Sequence, residues 1–296
     1  MSKKFKPMLA EKAVVDKLVF PVIASPKLDG FRMYRPKGHE AVTRSFKSIP
    51  NKHIARILAH LPVGFDGELM RPDVVLPGAT FAQLTEGFMR KEGEPPFAFH
   101  VFDWFQEDDL ERGFEQRIAD LKLVEQSLPS WIKIVPQIKI ESIEALEAYE
   151  ELCLAQGYEG VMVRQPNSPY KNGRSTVNQG YLLKIKRFED DEGIVVGFEE
   201  KMHNGNEATK DEFGRTKRSS HQANKTGLDT LGSIIISYKG DTFRAAPGKG
   251  IDAAQRKALW DIRETLMGKL VTFTFQPSGA DKLPRFPTFK CFREDI

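Results

Sequence analysis

Cysteine and long apolar runs are what this sequence has least of. Its only two cysteines, Cys153 and Cys291, form neither a zinc-binding spacing nor a disulfide framework, which indicates a reducing compartment. No apolar run approaches membrane-spanning length, and the basic stretch 1–12 has no apolar signal core. The sequence therefore argues against a membrane protein and a disulfide-rich secreted domain. It predicts a soluble protein of the cytoplasm.

A strong excess of one charge is also absent. The formal net charge is +3, with 29% charged and 40% hydrophobic residues, as in ordinary globular proteins. This charge permits a polyanionic partner without requiring one, so a nucleic-acid surface would depend on local clusters. Neither an internal repeat nor a low-complexity segment is present. A chain of 296 residues is long for one core and suits two domains.

Hydrophobic patterning predicts a first domain, residues 1–188, of mixed helices and strands. Helices are predicted over 50–61, 80–90, 108–125 and 142–155. The third is expected to start at the acidic run 107–109, and the fourth to end at Gly157. Strands are predicted over 65–70, 97–105, 159–164 and 181–186. This mixture predicts an α+β fold with antiparallel sheets.

The pattern changes after residue 188. The charged segment 188–192 is interpreted as a break, which places the second domain at 189–296. Strands are predicted over 194–198, 233–238, 242–245 and 269–275, with one helix over 252–267. Several short strands and one helix in about a hundred residues favour a small β-barrel of the OB-fold type.

The most informative stretch is Ser25-Pro26-Lys27-Leu28-Asp29-Gly30-Phe31-Arg32. A lysine amine becomes a nucleophile once it loses its proton, and its ordinary pKa is ~10.4. Desolvation and neighbouring cations lower that value, and Gly30 permits close approach of the backbone to a ligand. By itself, however, Lys27-Leu28-Asp29-Gly30 is typical of a surface turn, because Asp-Gly forms turns. Other residues must decide between the two interpretations.

Five separated residues supply the chemistry that a lysine nucleophile would need. Glu68 and Glu159 offer carboxylates at strand ends, suited to a hydroxyl or a divalent cation. Phe102 offers a flat surface for a base, and Lys184 and Lys186 share one strand face, as a site for phosphate oxygens requires. Each alone has a commoner explanation as a core, turn or solvated residue. Together they predict attack of an amine on a nucleotide α-phosphate, assisted by Mg²⁺.

The order of these motifs resembles that in the ATP-dependent DNA ligases. This family belongs to the lysine-dependent nucleotidyltransferase superfamily, which also contains RNA ligases and mRNA capping enzymes. The motifs cover nearly the whole chain. They are Lys27-Leu28-Asp29-Gly30, Phe65-Asp66-Gly67-Glu68, Phe99-His100-Val101-Phe102-Asp103, Glu159-Gly160-Val161-Met162-Val163, Leu183-Lys184-Ile185-Lys186 and a C-terminal segment from Arg285 to Asp295.

The resemblance implies an adenylyltransferase domain, with ATP-grasp-like antiparallel sheets and helices, followed by an OB-fold domain. It implies ATP and Mg²⁺ or Mn²⁺ as cofactors, nicked duplex DNA as substrate, and covalent lysyl-AMP and DNA-adenylate intermediates. The short chain resembles the small phage and viral enzymes and is expected to act as a monomer, in a host cytoplasm if viral. It is also expected to lack an additional DNA-binding domain.

The resemblance further implies a role for each matched residue. Lys27 would carry AMP, Glu68 would hold the ribose, Phe102 would stack on adenine, and Arg32 and Arg44 would contact nucleotide and nick phosphate. Lys184 and Lys186 would bind the α-phosphate, so Lys27, Asp29, Lys184 and Lys186 are the expected catalytic residues. Glu159, Glu68 and Asp29 are the expected metal ligands, with Asp29 near the 3′-hydroxyl. Arg285, Arg293 and Asp295 would orient pyrophosphate.

Two departures and two alternatives accompany this interpretation. The sequence lacks the basic residue that often follows Asp295 and the acidic residue often seen before Lys27. An RNA ligase or a capping-type enzyme would use the same lysine, although the 170–174 loop favours a DNA ligase. A non-catalytic OB-fold binder of nucleic acid is the other class. The basic, acid-free stretch 213–225 is either a DNA-contacting loop or a solvated barrel loop.

Overall fold

The computed structural model describes residues 5–74, 81–186, 188–210, 214–276 and 283–293. The chain divides into an N-terminal unit, Met1–Lys186, and a C-terminal unit, Arg187–Ile296. The division falls two residues before the boundary that the sequence predicts.

The described part of the N-terminal unit contains ten strands and four α-helices. The strands are β1 (Glu11–Lys12), β2 (Val22–Pro26), β3 (Phe31–Tyr34), β4 (Val42–Thr43), β5 (Phe65–Met70), β6 (Ala98–Trp104), β7 (Ile132–Ile134), β8 (Ile138–Ile140), β9 (Val161–Arg164) and β10 (Leu183–Ile185). The helices are α1 (Lys52–Leu58), α2 (Phe81–Leu84), α3 (Phe114–Leu123) and α4 (Ile143–Ala155). Short 3₁₀ turns occupy Val15–Lys17 and Glu125–Ser127.

These strands form two five-stranded sheets. Sheet A has the order β1-β10-β9-β2-β8 and sheet B the order β4-β3-β5-β6-β7. Pairing is antiparallel except at one edge of each sheet, where β1 runs parallel to β10 and β7 to β6. The chain passes from sheet A to sheet B in the turn between β2 and β3, which contains Lys27. The predicted α+β class with antiparallel sheets is confirmed.

Alternation in β6 places its larger core residues on one face of sheet B. Phe99, Val101 and Asp103 are fully buried, whereas His100 and Phe102 on the opposite face are only partly buried. The apolar face packs against α1 and α3 in a continuous core. A second core lies between sheet A and α4. The division of β6 into two faces agrees with the sequence pattern, since successive strand residues point to opposite sides.

Helix boundaries separate the correct predictions from the wrong ones. Helix α4 begins after Ser142, whose hydroxyl accepts from the Ala145 amide, and ends before Gly157 at φ +85°, as predicted. Helix α3 begins only after Gly113, so the predicted start at the acidic run is wrong. That run is engaged with Lys37 instead of a helix terminus.

The predicted helix over 80–90 is mostly wrong. Residue 80 lies outside the described residues, and α2 covers only Phe81–Leu84. The chain then leaves the helical conformation, and Gly87 has a φ of +84°. The first helix is shorter than predicted. It begins at Lys52, because Asn51 caps it by accepting from the amide of Ile54, and it ends at Leu58.

The described part of the C-terminal unit contains seven strands and one α-helix. The strands are β11 (Glu189–Asn204), β12 (Ala208–Lys210), β13 (Thr216–Arg218), β14 (Lys225–Tyr238), β15 (Asp241–Pro247), β16 (Leu270–Gln276) and β17 (Arg285–Phe292). Helix α5 covers Ala253–Asp261, and Arg263–Leu266 follows it as a 3₁₀ turn.

Five of these strands close into a barrel in the order β11-β14-β15-β17-β16. Ile234, Ile236, Phe273 and Phe289 fill its interior. A closed five-stranded barrel is the OB-fold architecture, so the predicted fold of the second domain is confirmed. Strands β12 and β13 form a separate two-stranded sheet.

The charged segment 188–192 is not a break, because residues from Glu189 onward begin β11. Its acidic side chains find basic partners in or next to β17 of the same barrel. Asp190 pairs with Lys290 at 2.5 Å and Glu192 with Arg293 at 3.1 Å. A run of like charges was misread because partners about a hundred residues along the chain neutralise it. Among the described residues, no helix is both long and apolar enough to cross a membrane.

Candidate active site

A pocket of about 600 Å³ opens in the N-terminal unit and takes wall residues from both sheets. Six of the sequence-predicted site residues line it. They are Lys27, Arg32, Arg44, Glu68, Phe102 and Lys184. The pocket therefore brings together an amine, three further cations, a carboxylate and an aromatic ring.

Backbone hydrogen bonds fix Lys27 against the segment that carries Glu159. Strand β2 pairs with β9, and beyond the last pair the Lys27 amide donates to the Gly160 carbonyl at 2.8 Å. The Glu159 amide donates in turn to the Lys27 carbonyl at 3.1 Å. Gly160 has a φ of +141°, and a Cβ there would lie 2.3 Å from the Ile185 carbonyl oxygen, so only glycine fits.

The carboxylate of Glu159 bridges two lysines. Its Oε2 accepts a hydrogen bond from Lys27 Nζ, and its Oε1 accepts one from Lys186 Nζ. All three side chains are largely buried, and that of Glu159 is 5% exposed. The resemblance implies that Lys186 binds the α-phosphate, which stays a prediction. In the structure Lys186 neutralises the carboxylate that Lys27 also contacts.

Several cations surround the amine of Lys184. Burial lowers the pKa of Lys184, and the charges of Lys27, Arg174 and Arg44 lower it further, while Glu11 opposes them. Concentrated positive charge in a concave, partly desolvated wall attracts polyanions. Arg174 lines the pocket and was not among the predicted site residues, although its loop was noted.

A buried ion pair occupies one side of Arg32. Its Nε and Nη2 donate to the two carboxylate oxygens of Asp66, at 2.9 and 2.6 Å, and Tyr170 Oη donates to the same carboxylate at 2.6 Å. Burial favours the neutral guanidine, but the Asp66 carboxylate outweighs it and raises the pKa of Arg32. The contact of Arg32 with phosphate stays a prediction.

Glu68 faces Arg32 across the β3–β5 pair. Burial raises the pKa of Glu68 to about 7, against the opposing charges of Arg32 and Lys27, and Asp66 and Asp29 raise it further. Among the described residues, its buried Oε2 has no hydrogen-bond partner. An unsatisfied buried carboxylate oxygen in a pocket wall suits a ligand hydroxyl or a cation.

The Glu68 carboxyl should make stability pH-dependent. Since its pKa is raised from 4.5 to about 7, the folded ligand-free protein binds this proton more tightly than the unfolded chain does. Its contribution is fully present below the unfolded pKa and is lost as pH rises through the folded one. Relative to Glu68→Gln, the wild-type free energy of unfolding should fall by on the order of 2 kcal/mol between about pH 5 and pH 8. Urea unfolding at both pH values measures this difference.

Glu92→Gln is the matched control, because Glu92 is 76% exposed and pairs only across the surface with Lys52. Its pH profile should run parallel to that of the wild type. Parallel profiles for Glu68→Gln as well would contradict the raised pKa of Glu68.

A second buried network lies beneath the pocket wall. The fully buried Asp103 accepts from Arg117 Nε at 2.7 Å and Nη2 at 3.2 Å, and also from Arg164 Nη1. Burial favours its neutral form, but the two guanidinium groups lower the pKa of Asp103. Burial also lowers the pKa of Arg164, which Asp103 partly offsets and Arg117 reinforces. Neither arginine was a sequence-predicted site residue.

The remaining predicted residues are less completely described. Asp29 is near enough to Glu68 to raise the pKa of that carboxyl. The Arg293 amide donates to the Leu270 carbonyl at 3.0 Å, and its guanidinium forms an ion pair with Glu192. Asp295 and the side chain of Arg285 lie outside the described residues. Among those that are described, no group of three or more acidic, histidine or cysteine side chains forms a metal centre.

A pocket lined by a half-buried lysine, an aromatic ring and several cations, in a chain that continues into a closed five-stranded barrel, defines a nucleotidyltransferase with an OB-fold domain. The family model of the ATP dependent DNA ligase domain matches residues 7–186, and that of the DNA ligase OB-like domain matches residues 228–293. The chain belongs to the family of ATP-dependent DNA ligases.

Three relatives illustrate the similarity. The DNA ligase of Haemophilus influenzae is 27% identical over 76% of this chain and 83% of its own. The crystal structure of Chlorella virus DNA ligase-adenylate is 31% identical, with a TM-score of 0.55, over 97% of this chain and 99% of its own. A structure from a study of DNA binding by Lig E DNA ligases is 25% identical, with a TM-score of 0.67, over the same proportions. In other curated DNA ligases the matched region spans only 36% or 24% of the protein.

Proposed function

We propose that this chain seals nicks in duplex DNA with ATP, through lysyl-AMP and DNA-adenylate intermediates. The observation that carries the proposal is the position of Lys27 in a pocket that also exposes Phe102, Glu68, Arg44 and Lys184. These side chains match the parts of a nucleoside triphosphate. The ring of Phe102 suits the base, the unsatisfied oxygen of Glu68 suits a ribose hydroxyl, and the cations suit the phosphates.

In the first step Lys27 Nζ gives up a proton and forms a bond to the α-phosphorus of ATP, while the bond from that phosphorus to pyrophosphate breaks. Positive charge close to the α-phosphate stabilises the transition state. Lys184 and Arg44 supply that charge in the pocket wall, and Lys186 is held beside it through Glu159. Arg32 is the other proposed phosphate or ribose contact.

A magnesium ion fits this site without a preformed cage. Mg²⁺ is usually held by one or two carboxylates together with substrate phosphates and water. Glu159 is the proposed principal ligand, with Glu68 and Asp29 as further candidates. When bound, the ion would neutralise charge on the phosphates.

The later steps move AMP from Lys27 to the 5′-phosphate of the nick. The 3′-hydroxyl, with Asp29 nearby, then attacks that phosphate and AMP leaves. Arg285, Arg293 and Asp295 are proposed to orient pyrophosphate in the first step. The protein is proposed to act as a monomer. It is also proposed to act in the cytoplasm, or in a host cytoplasm if it is viral, and the two free thiols Cys153 and Cys291 agree with such a reducing compartment.

The test follows label from α-labelled ATP with Mg²⁺. Without DNA, label should attach to the protein through a bond that is stable in alkali and labile in acid, as phosphoramidates are. A chase with nicked duplex DNA should release the label as AMP and join the strands. Label from GTP but not from ATP would instead indicate a capping-type enzyme. Transfer of AMP only to RNA nicks would indicate an RNA ligase, and the absence of any label would indicate a non-catalytic binder.

The basic stretch 213–225 should bind DNA phosphate. Phe213 lies outside the described residues, whereas residues 214–224 are exposed and include β13. Each phosphate that a protein cation neutralises steepens the salt dependence of binding by ~0.9 in a log–log plot. The double variant Arg215→Ser/Lys217→Ser should reduce the slope for nicked DNA by up to about 2, and deletion of residues 214–224 should reduce it further.

The matched control is Lys249→Ser/Lys269→Ser, which removes two exposed barrel cations elsewhere. Its slope should stay near that of the wild type. Equal reductions of the slope in both double variants would assign the reduction to net charge. An unchanged slope in the loop variants would contradict the proposed contact with DNA phosphate. Fluorescence anisotropy at a series of salt concentrations measures each slope.

A further inference from the structure

The ring of Phe102 lies beside two guanidinium groups in the pocket wall. The ring lines the pocket from β6. Cζ of Arg32 lies 5.2 Å from the ring centroid, and Cζ of Arg164 lies 5.8 Å from it. Both distances are within the ~6 Å at which a cation is attracted to an aromatic ring. Side chains from two different sheets therefore act on the same ring.

Arg164 is itself firmly held. It is only 5% exposed, its Cζ lies 4.2 Å from the centroid of Phe114, and its Nη1 donates to Asp103. Asp103 is the neighbour of Phe102 in β6 and points to the opposite face of the strand. One strand thus carries both the carboxylate that anchors Arg164 and the ring that Arg164 contacts.

We propose that Arg164 is a positioning residue for the nucleotide base, which acts by fixing the ring of Phe102 in the orientation that stacks on the base. The inference rests on the proposed function and adds to it a residue that determines nucleotide affinity. A ring that is already oriented loses less conformational freedom when a base stacks on it, and this difference appears as tighter binding. The rate of the chemical step, in which Arg164 takes no direct part, should change little.

Arg117 separates this role from a purely structural one. It shares the Asp103 carboxylate and is 1% exposed, so its loss disturbs the same buried ion cluster. Its aromatic contacts, however, are with Phe114 at 5.4 Å and Tyr170 at 5.7 Å. A change at Arg117 should destabilise the N-terminal unit without moving the affinity for ATP.

The experiment measures the rate of lysyl-AMP formation against ATP concentration, with full-length protein first freed of bound AMP by pyrophosphate. Arg164→Met should raise the KM for ATP roughly three- to tenfold, the range expected for loss of a partly buried cation–π contact, with the maximal rate little changed. Arg164→Lys should lie between Arg164→Met and the wild type, because it keeps the positive charge. Arg117→Met should leave the KM unchanged.

A double-mutant cycle with Phe102→Leu tests the route of the effect. Once the ring is absent, adding Arg164→Met should produce no further rise in KM. If the rise is as large without the ring as with it, Arg164 acts by another route and the inference is overturned. Arg164→Lys carries the same test if Arg164→Met does not fold.

The wild type in the same assay distinguishes failure of the positioning role from failure of the proposed function. A wild type that forms lysyl-AMP, with Arg164 and Arg117 variants equal in KM, overturns the positioning role alone. A wild type that takes no label from ATP overturns the proposed function and this inference with it.

Discussion

Replacing Lys27 with alanine is expected to abolish transfer of AMP to the protein, with a loss of at least roughly 10⁴-fold in the rate of lysyl-AMP formation. Alanine has no atom that can form a bond to phosphorus, so the proposed nucleophile is removed. Lys27→Arg should lose as much, because an arginine keeps the charge beside Glu159 but stays protonated in proteins. The measurement is label from α-labelled ATP retained on the protein.

A nick that already carries AMP on its 5′-phosphate separates loss of the nucleophile from loss of the site. Joining this DNA needs no lysine adduct, so Lys27→Ala should still seal it. Lys52→Ala is the matched control, since Lys52 is exposed and pairs with Glu92 at the surface. Normal labelling of Lys27→Ala would show that another residue carries AMP, and failure of Lys27→Ala on both DNAs would point to a collapsed pocket.

Replacing Asp103 with alanine is expected to produce the largest loss of stability. The change leaves the guanidinium groups of Arg117 and Arg164 buried without their carboxylate, and breaking a buried ion pair in this way costs roughly 3–5 kcal/mol. Urea unfolding, followed by a probe in the N-terminal unit, measures the free energy of unfolding. Asp108→Ala, which breaks an exposed pair with Lys37, should unfold like the wild type.

The same carboxylate predicts a response to acid. Because the two arginines lower the pKa of Asp103, its contribution is present above the unfolded pKa and is lost as pH falls through the folded one. The difference in the free energy of unfolding between the wild type and Asp103→Ala should therefore narrow only in strong acid. A gap that closes at mildly acidic pH would contradict a lowered pKa at this position.

Local sequence was sufficient where a single strand or helix decides the outcome. The alternation over residues 98–104 predicted which face of β6 is buried, and Ser142 with Gly157 marked both ends of α4. Sequence failed where a charge has a distant partner. The acidic residue Glu107 accepts from the amide of Lys37, and Asp190 is neutralised by Lys290, a hundred residues away. No local pattern contains such a contact.

The site shows the same division. The sequence was sufficient to predict which residues belong to the site, namely the lysine, the two glutamates and the phenylalanine, because each stands in a recognisable motif. Their mutual contacts were not predicted, since the bridge from Lys27 through Glu159 to Lys186 depends on the pairing of β2, β9 and β10. Arg164 was missed for a related reason. It ends β9, outside the quoted motif, and only the approach of β9 to β6 brings it to the pocket wall.

The shared carboxylate of Glu159 has a consequence for how the protein changes between steps. While Lys27 is protonated and carries no AMP, the carboxylate of Glu159 contacts two positive charges, whereas a phosphoramidate nitrogen carries none. In the proposed lysyl-AMP form, Lys186 would keep the positive charge that contacts Glu159, and Lys186 is the last residue of the N-terminal unit. The charge around Glu159 would therefore differ between the AMP-free and the AMP-bound protein, next to the residue at which the chain passes into the barrel unit.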